Sequence, residues 1–213
     1  MNKVISRAAI LVAILLFASP LYADSAGLLT GCLTTAQTVG FGQGNIGGFA
    51  GFGDDVTTIF GAITYGFSDY TEGRFKLGFA DPDGSNTDPQ ITIAADFKYQ
   101  FMDVNSKARK QPLDMAFGFL FEWVDFDGVS VIQLGGDLIG SYPFKLSGGS
   151  TLSPYGRVNI RLERISNGDS DSNFEGGFNT GVKWDISPSV ALFGEIQMDG
   201  NTGFFTGIDF KAF

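Results

Sequence analysis

The chain is predicted to be all-β, an antiparallel up-and-down transmembrane β-barrel of about ten strands. Three observations predict this. Segments of roughly ten residues recur in which apolar and polar side chains alternate, the period-two signature of a strand with two unlike faces. Glycine (30 residues) and phenylalanine (22) are abundant while only 17% of residues are charged, a balance suited to barrel strands joined by turns. The one long apolar run lies at the extreme N-terminus and falls short of the about 20 residues that a membrane helix needs. A chain that enters lipid without such helices must close its strands on themselves, so that every backbone N–H and C=O is satisfied.

The N-terminal run reads as a leader. Lys3 and Arg7 precede apolar residues Ala8 to Phe17, and Ser19, Pro20 and Leu21-Tyr22-Ala23 follow, the layout of a secretory signal peptide (residues 1–23) cut after Ala23. Residues 24–213 then form one domain, without a linker or a break in composition. Loss of Lys3 and Arg7 leaves 12 basic and 23 acidic residues, a net charge near −11. That charge repels phosphate backbones and excludes nucleic acid as a partner. The single cysteine cannot form an internal disulfide. Leu29-Thr30-Gly31-Cys32 looks like a bacterial lipobox, which implies acylation of Cys32; the competing reading is a chance match, since Asp24 separates it from the apolar core.

The first strand lies in a glycine-rich opening, Val39 to Gly53, where Gly40, Gly42, Gly44, Gly47 and Gly48 suggest a kink or bulge; eight or twelve strands also fit. The second, Thr57 to Ser68, carries Ile59, Ile63, Tyr65 and Phe67 on one face. The third, Gly73 to Ala80, sets Phe75, Leu77 and Phe79 against Arg74 and Lys76. The fourth, Gln90 to Phe101, sets Ile91, Ile93, Phe97, Tyr99 and Phe101 against Asp96 and Lys98. The fifth, Leu113 to Asp125, sets Phe117, Phe119, Phe121 and Trp123 against Asp114 and Glu122. The sixth, Val131 to Phe144, alternates less cleanly and turns Asp137 inward. The seventh, Tyr155 to Arg164, opposes Val158, Ile160 and Leu162 to Arg157, Asn159, Arg161 and Glu163. The eighth, Asn173 to Ile186, opposes Phe174, Phe178, Val182 and Trp184 to Glu175, Asn179, Lys183 and Asp185. The ninth, Val190 to Met198, opposes Leu192, Ile196 and Met198 to Glu195 and Gln197, and the tenth, Gly203 to Phe213, opposes Phe204, Ile208 and Phe210 to Asp209 and Lys211.

The apolar rows point to lipid. Phe117, Phe119, Phe121 and Trp123 in one row would crowd a close-packed soluble core, whereas lipid demands no partner for them. A soluble exported β-barrel holding an apolar ligand is the alternative. Aromatics near strand ends, among them Tyr65, Phe67, Tyr99, Phe101, Tyr142, Phe144 and Trp184, would form interfacial girdles. The polar rows would line the lumen: Arg74, Lys76, Lys98, Arg157, Arg161 and Lys183 face Asp96, Asp114, Glu122, Asp137, Glu163, Glu175, Glu195 and Asp209. Two readings of that lining stand side by side. It is a polar core of ion pairs that fills a narrow barrel, or it is a narrow pore lined by charge rings.

The hairpin ITYGFSDYTEGRFKLGF (Ile63 to Phe79), the turn Trp184-Asp185-Ile186-Ser187-Pro188-Ser189 and the terminal Phe213 resemble those of bacterial outer-membrane β-barrel proteins. The resemblance covers nearly the whole of residues 24–213. It implies a small porin-like barrel in the outer membrane of a Gram-negative-type envelope, in contact with outer-membrane lipid. It also implies that Phe213 serves as a signal to the barrel-insertion machinery. With both termini periplasmic, Asp81 to Pro89, Asp125 to Val129 and Ser166 to Ser172 become short outer loops. One departure stands out: Phe213 shares its row with Lys211 and Asp209 instead of Phe210 and Ile208, so a bulge is needed to restore register.

No histidine occurs, which removes the His-based acid–base and nucleophilic chemistry of barrel hydrolases. No enzyme activity and no cofactor are expected. Asp81, Asp83 and Asp88 surround a glycine at spacing that faintly suits calcium, but Asp-Gly-Asn clusters are more often plain turns and no later bidentate Glu follows; no metal site is assigned. Lys107, Arg109 and Lys110 form the one basic run, a solvated turn with capacity for anionic headgroups. The expected function is that of a non-enzymatic outer-membrane barrel, either a narrow porin-like channel or a structural membrane component.

Overall fold

The computed structural model describes residue 29 and residues 33–53, 56–82, 88–106, 111–126, 128–167, 169–198 and 202–213. The leader, Cys32, Asp83 and the basic run at 107–110 lie outside these. Ten long strands form the wall: β1 (Gly44–Gly53), β2 (Val56–Ser68), β3 (Thr71–Pro82), β4 (Gln90–Met102), β5 (Asp114–Phe126), β6 (Val129–Ser141), β8 (Thr151–Asn167), β9 (Asp169–Ser187), β10 (Val190–Met198) and β11 (Gly203–Lys211). A two-residue β7 (Phe144–Lys145) pairs with β8 inside a loop. Each wall strand pairs antiparallel with its neighbours, and β6 pairs with β8 while β1 pairs with β11, so no edge remains open. All ten predicted strands are therefore present, in a closed up-and-down barrel.

The alternation in sequence becomes an alternation in burial. In β2, Ile59, Ile63, Tyr65 and Phe67 are exposed on the outer surface while Thr58, Phe60, Ala62 and Thr64 are buried within. The same holds for Phe75, Leu77 and Phe79 in β3, Phe117 and Phe119 in β5, and Val158 and Ile160 in β8. An outer belt of large apolar side chains around a buried polar interior is a transmembrane barrel turned inside out relative to a soluble one. Aromatics crowd one rim of the belt, the end that carries both the β2–β3 turn and the C-terminus. There Phe101 stacks on Phe117 with ring centroids 4.5 Å apart, Tyr142 lies 4.7 Å from Phe144, and Phe67 lies 6.4 Å from Phe97.

Three segments depart from expectation. The first strand starts at Gly44 and not at Val39, because Gly40 and Gly42 adopt positive φ (91° and 69°) and reverse the chain just before it. The expected loop at Ser166 to Ser172 is ladder: Ser166 pairs with Ser170 and Asn167 with Asp169, which makes β8 and β9 the longest strands at 17 and 19 residues. At the C-terminus, Gly44 O accepts from both Ala212 N (2.8 Å) and Phe213 N (3.4 Å), two residues against one. This bulge turns Phe213 to the outer surface, where its ring lies 6.1 Å from that of Tyr65, and resolves the row mismatch.

Candidate functional site

The lumen has two unlike walls. β1, β2, β10 and β11 contribute Phe49, Phe60, Phe193 and Phe205, all buried inside the barrel. Phe49 stacks on Phe60 at 5.1 Å and meets Phe193 edge-on at 6.1 Å. The glycines of β1 and β11 make room for these rings. A Cβ on Gly207 would lie 2.0 Å from Phe49, and one on Gly51 would lie 2.3 Å from Phe205. The glycine-rich first strand is thus a regular strand cut away to admit aromatics, and its positive φ values fall only in the turn before it.

The opposite wall is charged. Asp96 in β4 accepts from two cations of β3, Arg74 Nη2 at 2.7 Å and Lys76 Nζ at 2.9 Å. Lys98 Nζ lies 2.8 Å from Glu72 Oε1, and Arg157 Nη1 lies 3.4 Å from Asp137 Oδ2. Glu163 accepts from Gln133 at 2.6 Å, and Arg161 donates to Asn159 at 3.0 Å. Glu175 stands opposite Arg161 in the ladder. Glu195 gathers Tyr155 Oη at 2.6 Å, Asn179 at 2.9 Å and Gln197 at 3.0 Å. Nearer the terminal rim, Asp114 accepts from Val104 N (2.7 Å), Asp209 from Asn45 (2.8 Å), and Lys183 pairs with Asp185 (2.9 Å). Pairing between neighbouring strands breaks the polar row into local clusters.

The residual space is filled by the chain itself. Residues 33–39, with Leu29 ahead of them, thread into the barrel from the terminal rim. Their backbone is bonded mainly to charged groups of the wall, while Ala36 N donates to Ser141 (3.1 Å) and Thr38 N to Gln100 (3.2 Å). Val39 N donates to Glu72 (2.8 Å), Leu33 N to Glu195 (2.7 Å), and Leu29 N to both oxygens of Glu122 (3.3 Å). Lys98 donates to Thr35 O (2.6 Å), Gln37 O (2.8 Å) and Thr34 Oγ1 (3.0 Å); Arg74 donates to Leu33 O (3.0 Å), and Lys76 to Leu29 O. Leu29 and Leu33 press their side chains into the aromatic wall, while Ala36 packs on Ala116 and Ile139. At the rim, Thr38 Oγ1 holds Asp69 O at 2.6 Å, after which Gly40 and Gly42 turn the chain into β1.

An open cavity of about 230 Å³ lies between this segment and β9–β11 at the terminal rim, lined by Lys183, Asp185, Asp209 and Lys211 among others. A second space of about 20 Å³, enough for a single water, lies beside Asp137 and Lys98. Asp81 and Asp88 are exposed at strand ends, and no group of three or more metal-ligating side chains occurs among the described residues. Sequence reading assigned Glu72 to a turn, passed over Phe49, Phe60, Phe193 and Phe205, and gave the stretch after Asp24 no place in the barrel. Only the inward parity of the four phenylalanines within their strands could have exposed them. The threading segment leaves no periodic signal, because it lies in no strand.

No protein-family model and no curated protein matches the chain. Solved structures resemble it in fold. A designed transmembrane β-barrel shares 17% identity over 81% of this chain and 97% of its own, with a TM-score of 0.38. The KdgM porin shares 10% over 79% of this chain and 99% of its own, at 0.41. The β domain of the Bordetella autotransporter BrkA shares 11% over 81% of this chain and all of its own, at 0.49. The assignment stands on the ladder: closure, strand number and apolar belt make this chain an up-and-down β-barrel of the transmembrane type.

Proposed function

We propose that the chain is a non-enzymatic outer-membrane barrel whose lumen is a narrow porin-like path, held closed by the segment around Leu33 to Val39. One observation carries this reading. Charged groups of both signs run the length of the lumen, and the space between its walls is taken by a length of backbone instead of by further side chains. Eight-stranded barrels are filled by their own side chains. Ten strands leave room for something to pass, and here the chain's own segment stands in that room. Export through the leader, contact of the belt with outer-membrane lipid, and delivery by the insertion machinery through Phe213 complete the proposal. A purely structural membrane component is the second reading, favoured by the buried ion pairs.

Planar-bilayer recording separates the two. The unaltered protein is expected to be silent or nearly so. Leu33→Asp, which places a charge against the aromatic wall, is expected to give stepwise conductance. Silence of that variant at every voltage, in a preparation that still shows heat-modifiable migration, rejects the path and leaves the structural role.

A further inference from the structure

We propose that the lumen is a binding site for an uncharged polypeptide, recognised by its main chain and by leucine side chains, with residues 33–39 and Leu29 as its resident occupant. The contacts alternate in kind along the segment. Three carboxylates, Glu122, Glu195 and Glu72, take main-chain N–H groups of Leu29, Leu33 and Val39. Three cations, Lys76, Arg74 and Lys98, take main-chain carbonyls of Leu29, Leu33, Thr35 and Gln37. Leu29 and residues 33–39 carry no charge, and the charged groups around them pair with one another, Arg74 and Lys76 with Asp96 and Lys98 with Glu72, as well as with the main chain. Side-chain contacts are made by the leucines on the aromatic wall, by Ala36 on Ala116 and Ile139, by the hydroxyl of Thr34 and, at the rim, by Gln37 and by Thr38 Oγ1. A second observation points the same way. Leu33 sits at φ 56°, a left-handed conformation that costs a branched side chain energy and persists only where its surroundings impose it. Glu195 and Arg74 hold the N–H and the C=O of that one residue, as a clamp on a bound peptide would.

A site that reads N–H and C=O groups accepts any chain that presents them in the same spacing. The resident segment wins because its tether gives it a high effective concentration. A peptide added in trans should therefore bind once the resident is loosened.

The test uses the whole mature chain and a labelled peptide of residues 29–39 carrying Cys32→Ser. Leu33→Asp protein is expected to bind the peptide, and the unaltered protein at least about tenfold more weakly. Methylation of the peptide amides at Leu33 and Val39 removes the two N–H donors and should weaken binding by about tenfold or more. Exchange of Thr38 in the peptide for alanine removes only side-chain bonds at the rim and should weaken binding less than methylation does. Failure of the folded variant to bind, or indifference to methylation, overturns the proposal. Amide hydrogen exchange on the unaltered protein keeps it testable if the variant does not fold. Excess peptide should speed exchange at Leu33 and Val39, and unchanged exchange at saturating peptide overturns it. These readouts are independent of conductance, so a silent barrel that binds the peptide would reject the path and retain the site.

Discussion

Asp96 shows how far a single residue serves structure. Its carboxylate stands between Arg74 and Lys76, and Lys76 is wholly buried. Asp96→Asn leaves two desolvated cations short of their counter-charge, a loss of about 3 kcal/mol by the measure of broken buried pairs. The expected result is a lower midpoint in heat-modifiable gel migration, with the unaltered protein's conductance kept. Intact stability with a changed ion selectivity would instead place Asp96 in a conducting wall. Gly51 makes a steric claim. A methyl group there meets the Phe205 ring and Thr58 Oγ1 at 2.6 Å, so Gly51→Ala should cost about 1–3 kcal/mol. Adding Phe205→Leu should recover most of that loss, and a neutral Gly51→Ala would refute the packing account. The inward side of Asp96 was legible from alternation alone, but the need for Gly51 to be glycine was not. That need depends on which ring of the next strand lies opposite.

At the scale of elements, the belt has a definable edge. β8 and β9 outrun the other strands, and their outward rows turn polar beyond Leu162 and Phe174, at Arg164 and Ser172. Phe119 lies mid-strand in β5 and is 55% exposed to the outside, whereas Phe174 is 78% exposed at the last apolar position. Phe119→Arg should cost about 2–4 kcal/mol, the depth-dependent penalty near the bilayer centre, and Phe174→Arg about 0–1. Equal costs in lipid-vesicle unfolding would show that the belt is misplaced. The strands and their facing were legible because a lipid side and a wet side impose period two on every one of them. Ser166, Asn167, Asp169 and Ser170 signal a turn in the sequence, yet cross-strand pairing holds them in a ladder.

At the scale of the molecule, the segment that fills the lumen bears on where the mature chain begins. Leu29 bonds to Glu122 and Lys76 deep in the barrel, so a chain cut at Cys32 would lack that contact. The mature protein is therefore expected to begin at Asp24 with Cys32 unacylated, as intact-mass measurement would show. A diacylglyceryl mass on Cys32 would break the link between the leader and the filled lumen. The lumen also explains why local pairs coexist with a candidate path. The Lys98–Glu72 and Arg157–Asp137 pairs are neutral by themselves, yet Glu72 and Lys98, like Glu195, also offer a group to the threaded backbone.

Alternation and composition were enough to determine an all-β barrel, its outward apolar row and its polar lumen, because strand periodicity acts residue by residue. What occupies the lumen was decided only in three dimensions. A segment without periodicity is placed by the width that ten strands enclose, by carboxylates and cations that converge from β3, β4, β5 and β10, and by an aromatic wall assembled from both ends of the chain. Those distances exist only after closure, since β1 and β11 meet across nearly the whole length of the sequence.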